Sequence, residues 1–181
     1  MRIKMKKTII NILLILTTFI IYFLQSNFFS WFTISGVMPN LFVIYVLFIG
    51  LFSNRLTGVI YGVVIGAILD LVIGTKVGIY SFGLAVIGFL AATFDKNFSK
   101  DSRATIMFMV LGATLIFEIG IYILNYFVLG INVELINFIR ILAIEIIYNL
   151  IIVIILYPLI QKCGYDMEHE YKGNRILTRY F

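Results

Sequence analysis

The chain has 181 residues, of which 62% are apolar and only 13% charged. A soluble domain carries about 45–50% apolar and about 25% charged residues, and one this small has too little interior to hide the excess. Together with a mean hydropathy of +1.07, this excludes an ordinary soluble domain, a disordered chain and a secreted disulfide scaffold, and it points to a polytopic membrane protein.

A helix that crosses ~30 Å of hydrocarbon needs about 20 apolar residues. The first such run, 8–24, follows Arg2, Lys4, Lys6 and Lys7 and resembles a signal peptide. No small-residue cleavage site follows in Gln25-Ser26-Asn27, so an uncleaved signal anchor is expected. Residues 28–36 are aromatic-rich and hold Trp31, the only tryptophan. They read either as an interfacial or re-entrant stretch, as tryptophan favours the headgroup level, or as an ordinary loop. Pro39 is expected to open the second span, 37–53, in the first helical turn, where its missing N–H is no loss.

A short turn at Ser53 to Leu56 leads to the third span, 57–73. A tight turn near Gly74 to Val77 precedes the fourth, 78–94. The most polar internal stretch, 95–103, separates this from the fifth span, 106–129. A short loop through Asn132 and Glu134 leads to the sixth, 138–160, with Pro158 in its last turn. The tail, 161–181, is polar and of mixed charge. Backbone groups in lipid must pair within their own segment, so these runs are helices; the alternating ten-residue segments of a transmembrane barrel are absent. The expectation is an all-α polytopic protein with six transmembrane helices in a single integral membrane domain, 1–181.

With the N-terminus in the cytoplasm, twelve of the fourteen Lys and Arg residues fall inside, Lys76 falls outside, and Arg140 lies at the outer end of the last span. This asymmetry follows the positive-inside rule and puts both termini in the cytoplasm. The net charge of +5 therefore serves topology and contact with anionic lipid heads, and no nucleic acid is implied.

Gly58, Gly62 and Gly66 recur every four residues in the third span. Such a stripe lets another backbone approach closely. Ser81 with Ala85, and Gly88 with Ala92, repeat the spacing in the fourth span, so these two helices are expected to pack tightly. Asp70 continues the stripe. Asp70, Glu118, Arg140 and Glu145 are ionisable groups inside spans, which are costly and default to functional candidates. Counting ~1.5 Å per residue from the inner boundary places Glu118 at roughly 18 Å and Glu145 at roughly 22 Å, with Asn149 one turn below. The two carboxyls can face each other, with at least one protonated because like charges repel. Arg140 can snorkel to the outer interface or reach Glu145 or Asn125. Three readings stay open for this group: a proton or substrate relay, a docking site for a partner helix, and internal pairing.

No phosphate loop, CxxC pair or G-x-S-x-G elbow is present, and no nucleophile–base pair suits an intramembrane enzyme. The single Cys163 excludes an intrachain disulfide, and any His-based centre would have to use the single His169. Asp166, Glu168, His169 and Glu170 lie beside Lys172 and Arg175 and read as a solvated face of the tail. No metal and no cofactor is expected.

The segment Met38-Pro39-Asn40-Leu41, the glycine stripe, and the run from Asp70 through Gly74 and Gly78 to Tyr80 resemble the MreD family of rod-shape-determining proteins. There a proline begins an early span, and an Asp, a Gly and a Gly at this spacing close one helix and open the next. Here these are Pro39, Asp70, Gly74 and Gly78. The motif covers about 38–94, and the rest is similar in hydropathy. Where the family often has a basic residue before the proline, this chain has Met38. The resemblance implies a non-enzymatic subunit of the bacterial cell-elongation machinery in the plasma (inner) membrane. It would bind MreC and act with MreB filaments, a SEDS-type glycosyltransferase and a class B penicillin-binding protein in lateral peptidoglycan synthesis and the regulation of cell shape.

The resemblance further implies the six-helix fold of the S components of energy-coupling-factor transporters. Asp70 would cap the helix that begins near Gly78 or touch a partner directly, and Gly74 and Gly78 would let the chain reverse. The alternative function is a substrate-binding S component of such a vitamin transporter, with Tyr22, Trp31, Tyr80, Tyr122, Asn125 and Tyr126 as possible pocket groups. Against it, 8–24 contains no alanine or glycine, where S components carry an Ala-xxx-Ala motif.

Overall fold

Apolar runs that bury their own backbone hydrogen bonds form the whole architecture. The structure is a computed structural model and describes residues 7–73, 77–97, 100, 102–130 and 134–172. Six helices follow one another among these residues: α1 (Lys7–Trp31), α2 (Leu41–Phe52), α3 (Arg55–Ile73), α4 (Ile79–Asn97), α5 (Arg103–Val128) and α6 (Leu135–Lys172). Among the described residues the only strand-like pairing is a bridge between Ile34 and Val37. Four helices, α1, α3, α5 and α6, are long and apolar enough to cross a membrane; α2 and α4 are shorter apolar helices.

α2 departs from the expected span 37–53. It has 12 residues and so runs about 18 Å, short of the ~30 Å hydrocarbon core. It is apolar on all sides, the pattern of a fully enclosed helix, and every residue except Tyr45 is buried. Val43, Val46, Leu47 and Leu51 have no exposure at all. α3, α4, α5 and α6 all pack against it, which makes it the axis of the bundle.

Pro39 does not lie in its first turn. The cap is Asn40, whose Oδ1 accepts from the Val43 N–H at 3.2 Å. Asparagine wins this position because its side chain satisfies a free first-turn donor, which proline cannot do. Pro39 sits just outside, buried, and its carbonyl accepts from Gln25 Nε2 at 2.7 Å. Gln25 Oε1 accepts from the Leu41 N–H at 3.1 Å, so one side chain of α1 brackets the entry to α2.

α1 continues beyond 24. A widened turn at Leu24–Phe28 carries the helix on to Trp31, so the first part of 28–36 is helical. Trp31 is 87% exposed. The chain then reverses through Ser35 and Gly36, both with positive φ, closed by the Ile34–Val37 hydrogen bonds at 3.0 Å. Ile10 is the only buried residue of Lys7–Phe23; Ile12, Leu16, Phe19, Ile20 and Phe23 are exposed.

α6 also exceeds its expected span. Its 38 residues extend about 57 Å, so part of it projects beyond the hydrocarbon. Pro158 lies inside it, and the tail is helical as far as Lys172. Packing holds this extension. Gly164 lies flat on the Phe52 ring, where a Cβ would come within 2.6 Å. Beyond it, Glu168 is 4% exposed and belongs to a knot of four charges.

In that knot Lys100 pairs with Asp95 at 2.8 Å and with Glu168, while Lys172 pairs with Asp95 at 2.8 Å and Glu168 at 3.2 Å. Lys172 also donates to the Leu51 carbonyl at 2.7 Å, and the Lys100 Nζ stands 5.0 Å from the Phe52 ring centre. Burial pushes the Lys172 ammonium below its usual range, and its hydrogen bond to Asp95 opposes that shift. Each buried charge is paired, which such burial requires, and the α6 extension is thereby fastened to the end of α2. The expected solvated face is split: Asp166 and His169 are exposed, while Glu168 turns inward. Among the described residues no group of His, Cys, Asp and Glu could hold a metal ion.

Candidate functional site

α3 and α4 meet backbone to backbone. A Cβ on Gly58 would stand 2.7 Å from the Gly88 carbonyl oxygen, and one on Gly66 would stand 2.5 Å from the Ser81 nitrogen. A Cβ on Gly62 would strike the Leu84 carbonyl, with the Ala85 Cα at 2.9 Å. The neighbours are main-chain atoms, which cannot step aside as a flexible side chain can. Gly50 of α2 joins at the same level, its Cβ position 2.8 Å from the Gly88 oxygen. Three helices therefore cross at Gly50, Gly58 and Gly88. Gly50 gives no signal in the sequence, because it stands alone in its span with no periodic partner.

The stripe ends at Asp70, whose side chain has no exposure. The carboxylate accepts four hydrogen bonds: from the Gly78 N–H at 2.8 Å, the Tyr80 N–H at 2.9 Å, the Ser81 N–H at 3.1 Å and the Ser81 Oγ at 2.7 Å. The first N–H groups of a helix have no partner within it, and α4 begins at Ile79. Asp70 thus caps α4 from the end of α3, across the turn. Gly78 has φ +114°, a conformation that side chains resist, so glycine there permits the reversal. Gly74 lies outside the described residues. Ser81 takes part in both contacts, bonding Asp70 and lying against Gly66, so the cap and the glycine stripe form one joint.

A second polar layer surrounds the entry to α2. The Asn40 N–H donates to Asn149 Oδ1 at 2.8 Å, and Asn149 Nδ2 donates to Thr114 Oγ at 3.0 Å. Asn149 and Thr114 are both fully buried. Glu145 lies one turn away on α6 at 6% exposure. Its Oε1 is buried without a hydrogen-bond partner. Glu118 of α5 faces it, and the Asn40 side chain lies near both carboxyls.

Arg140 does not join this layer. It is exposed, and among the described residues no ion pair links it to Glu145. Gln25 and Thr114, which tie α1 and α5 into the arrangement, carry no sequence signal: each is a single uncharged polar residue at the edge of or within an apolar run.

The hydrogen bonds of both arrangements join one helix to another. Asp70 has all four acceptor contacts directed at one helix end, and the second layer links α1, α2, α5 and α6. Residues 6–163 match the family model described as rod shape-determining protein MreD. That range takes in α1 to α5 and most of α6, and so includes Pro39, the glycine stripe, Asp70, Gly78, Glu118, Arg140 and Glu145. No curated protein and no solved structure matches the chain.

Proposed function

We propose a role that proceeds from one premise, that the chain belongs to the MreD family of rod shape-determining proteins: it is a non-enzymatic membrane subunit of the bacterial cell-elongation machinery. In this reading it binds MreC in the plasma (inner) membrane. Through MreC it supports lateral peptidoglycan synthesis by the SEDS glycosyltransferase and the class B penicillin-binding protein, alongside MreB filaments. The family match over 6–163 carries this reading.

Two features support it. Asp70 is enclosed, so it acts by fixing α3 against α4 rather than by touching a partner. α1 leaves most of its length uncovered by the rest of the chain, which suits lateral contact with another membrane helix. In this reading both chain ends lie in the cytoplasm and the six helices take the arrangement of S components, with α2, too short to cross alone, enclosed by its longer neighbours.

The test is affinity purification of the tagged chain from its native membrane. MreC and the wall synthases are expected in the eluate. Recovery of a coupling module with its ATPases instead would contradict this function and favour the vitamin-transport alternative. That alternative already lacks a gripping motif, since Lys7–Trp31 contains neither alanine nor glycine.

A further inference from the structure

Away from both joints, α5 and α6 part to leave a groove of about 230 Å³ lined by Arg103, Met107, Val153, Ile154 and Tyr157. Its floor is buried and its walls are apolar: Val153 is 1% and Tyr157 7% exposed, while Ile154 stands open at 54%. One cation marks its end. The Arg103 guanidinium lies over the Tyr157 ring, 5.2 Å from its centre, and among the described residues no carboxylate pairs with it. Arg103, the last residue of the polar stretch 95–103, opens α5, so the charge sits where the apolar part of the bundle ends.

The dimensions choose the occupant. Pockets that enclose small ligands hold about 300–1,000 Å³, more than this groove offers. A partner helix is about 10–12 Å across and cannot enter a cleft between two packed helices. An acyl chain is thin enough, and an arginine at the apolar boundary complements a phosphate, which it grips with paired N–H donors.

We propose that this groove binds an anionic phospholipid, its phosphate held by Arg103 and a short stretch of one acyl chain lying over Val153 and Tyr157 between Met107 and Ile154. The site would tie the α5–α6 pair to the charged leaflet on the side of the 95–103 stretch. It is independent of the MreC contact, so either can fail alone.

Native mass spectrometry of the full-length protein tests this, with phosphatidylglycerol and phosphatidylcholine of identical acyl chains added in equal amounts. Both lipids offer the phosphate, but the choline cation offsets its charge and repels the Arg103 guanidinium, so the wild type should retain phosphatidylglycerol severalfold over phosphatidylcholine. R103A should bring that ratio close to one, and R103K should keep part of it. M107W, which fills the groove and leaves the charge, should also lower phosphatidylglycerol retention; I154W on the open wall is the second filling variant should M107W not fold. Equal retention of the two lipids by the wild type overturns the proposal, as does unchanged retention by R103A. Unchanged retention by a folded filling variant overturns it too, by assigning the effect to surface charge alone.

Discussion

Replacing Asp70 with alanine is expected to destabilise the protein by about 3 kcal/mol, because it strands the part-buried Gly78, Tyr80 and Ser81 N–H groups at roughly 1 kcal/mol each, the low end for an unpaired donor. Thermal unfolding in detergent should then show a melting temperature lower by on the order of 10 °C. The size follows from the number of contacts: one carboxylate takes three amides and a hydroxyl, whereas an ordinary N-cap side chain satisfies one donor for about 1 kcal/mol. D70N should fall between the two, as its amide keeps one acceptor oxygen and turns a donor towards donors. An unchanged melting temperature in D70A would remove the joint from the account.

Gly62→Leu is expected to be as damaging for a different reason. Its Cβ alone meets the Leu84 carbonyl and the Ala85 Cα, so α3 and α4 must move apart along the contact that Gly58 and Gly66 share. Overpacking costs about 1–3 kcal/mol where side chains can shift, and more where they cannot. Here the obstacle is backbone, so we expect ~3–5 kcal/mol for leucine and about 1–3 kcal/mol for alanine. Gly120 is the control, since nothing lies within 4 Å of its Cβ position. G120A should leave stability unchanged or raise it by about 0.5–1 kcal/mol, as alanine is the better helix former. Thermal unfolding of the three variants separates close helix approach from the mere frequency of glycine in membrane helices, and equal behaviour of G62A and G120A would contradict the first.

The contrast between these residues explains what the sequence could carry. The α3–α4 contact is legible because glycines spaced by four must share a face, and an acid that continues their line reaches the free N–H groups of the next helix after a short turn. Helix α2 is not legible at its true length. Hydropathy counts apolar residues, and Val37 to Phe52 are nearly all apolar whether or not they are helical. What starts the helix only at Leu41 is the Asn40 side chain capping the Val43 N–H, while Gln25, from a distant part of the chain, bonds the Pro39 carbonyl and the Leu41 N–H.

Glu168 misled for the opposite reason. In a charged tail, local composition favours a solvated face, and only the tertiary approach of Lys100 and Asp95 makes burial affordable. The carboxyl layer stands between these cases. Axial counting brings Glu118 and Glu145 to one level, while the link through Asn40 and Asn149 depends on how α2 enters the bundle. Arg140 is near enough in sequence to tempt a pairing with Glu145, yet it lies on the exposed side of its helix.

The central claim is a lipid-embedded subunit that presents both chain ends to the cytoplasm. Cys163 is the only cysteine and is exposed, just past the apolar stretch of α6, so it reports the side directly. In spheroplasts carrying an N-terminal protease-cleavable tag, a membrane-impermeant maleimide should leave Cys163 unmodified and the tag intact until the membrane is permeabilised, when both become accessible. Labelling of Cys163 in sealed spheroplasts, with the tag still protected, would put the two ends on opposite faces and contradict the account.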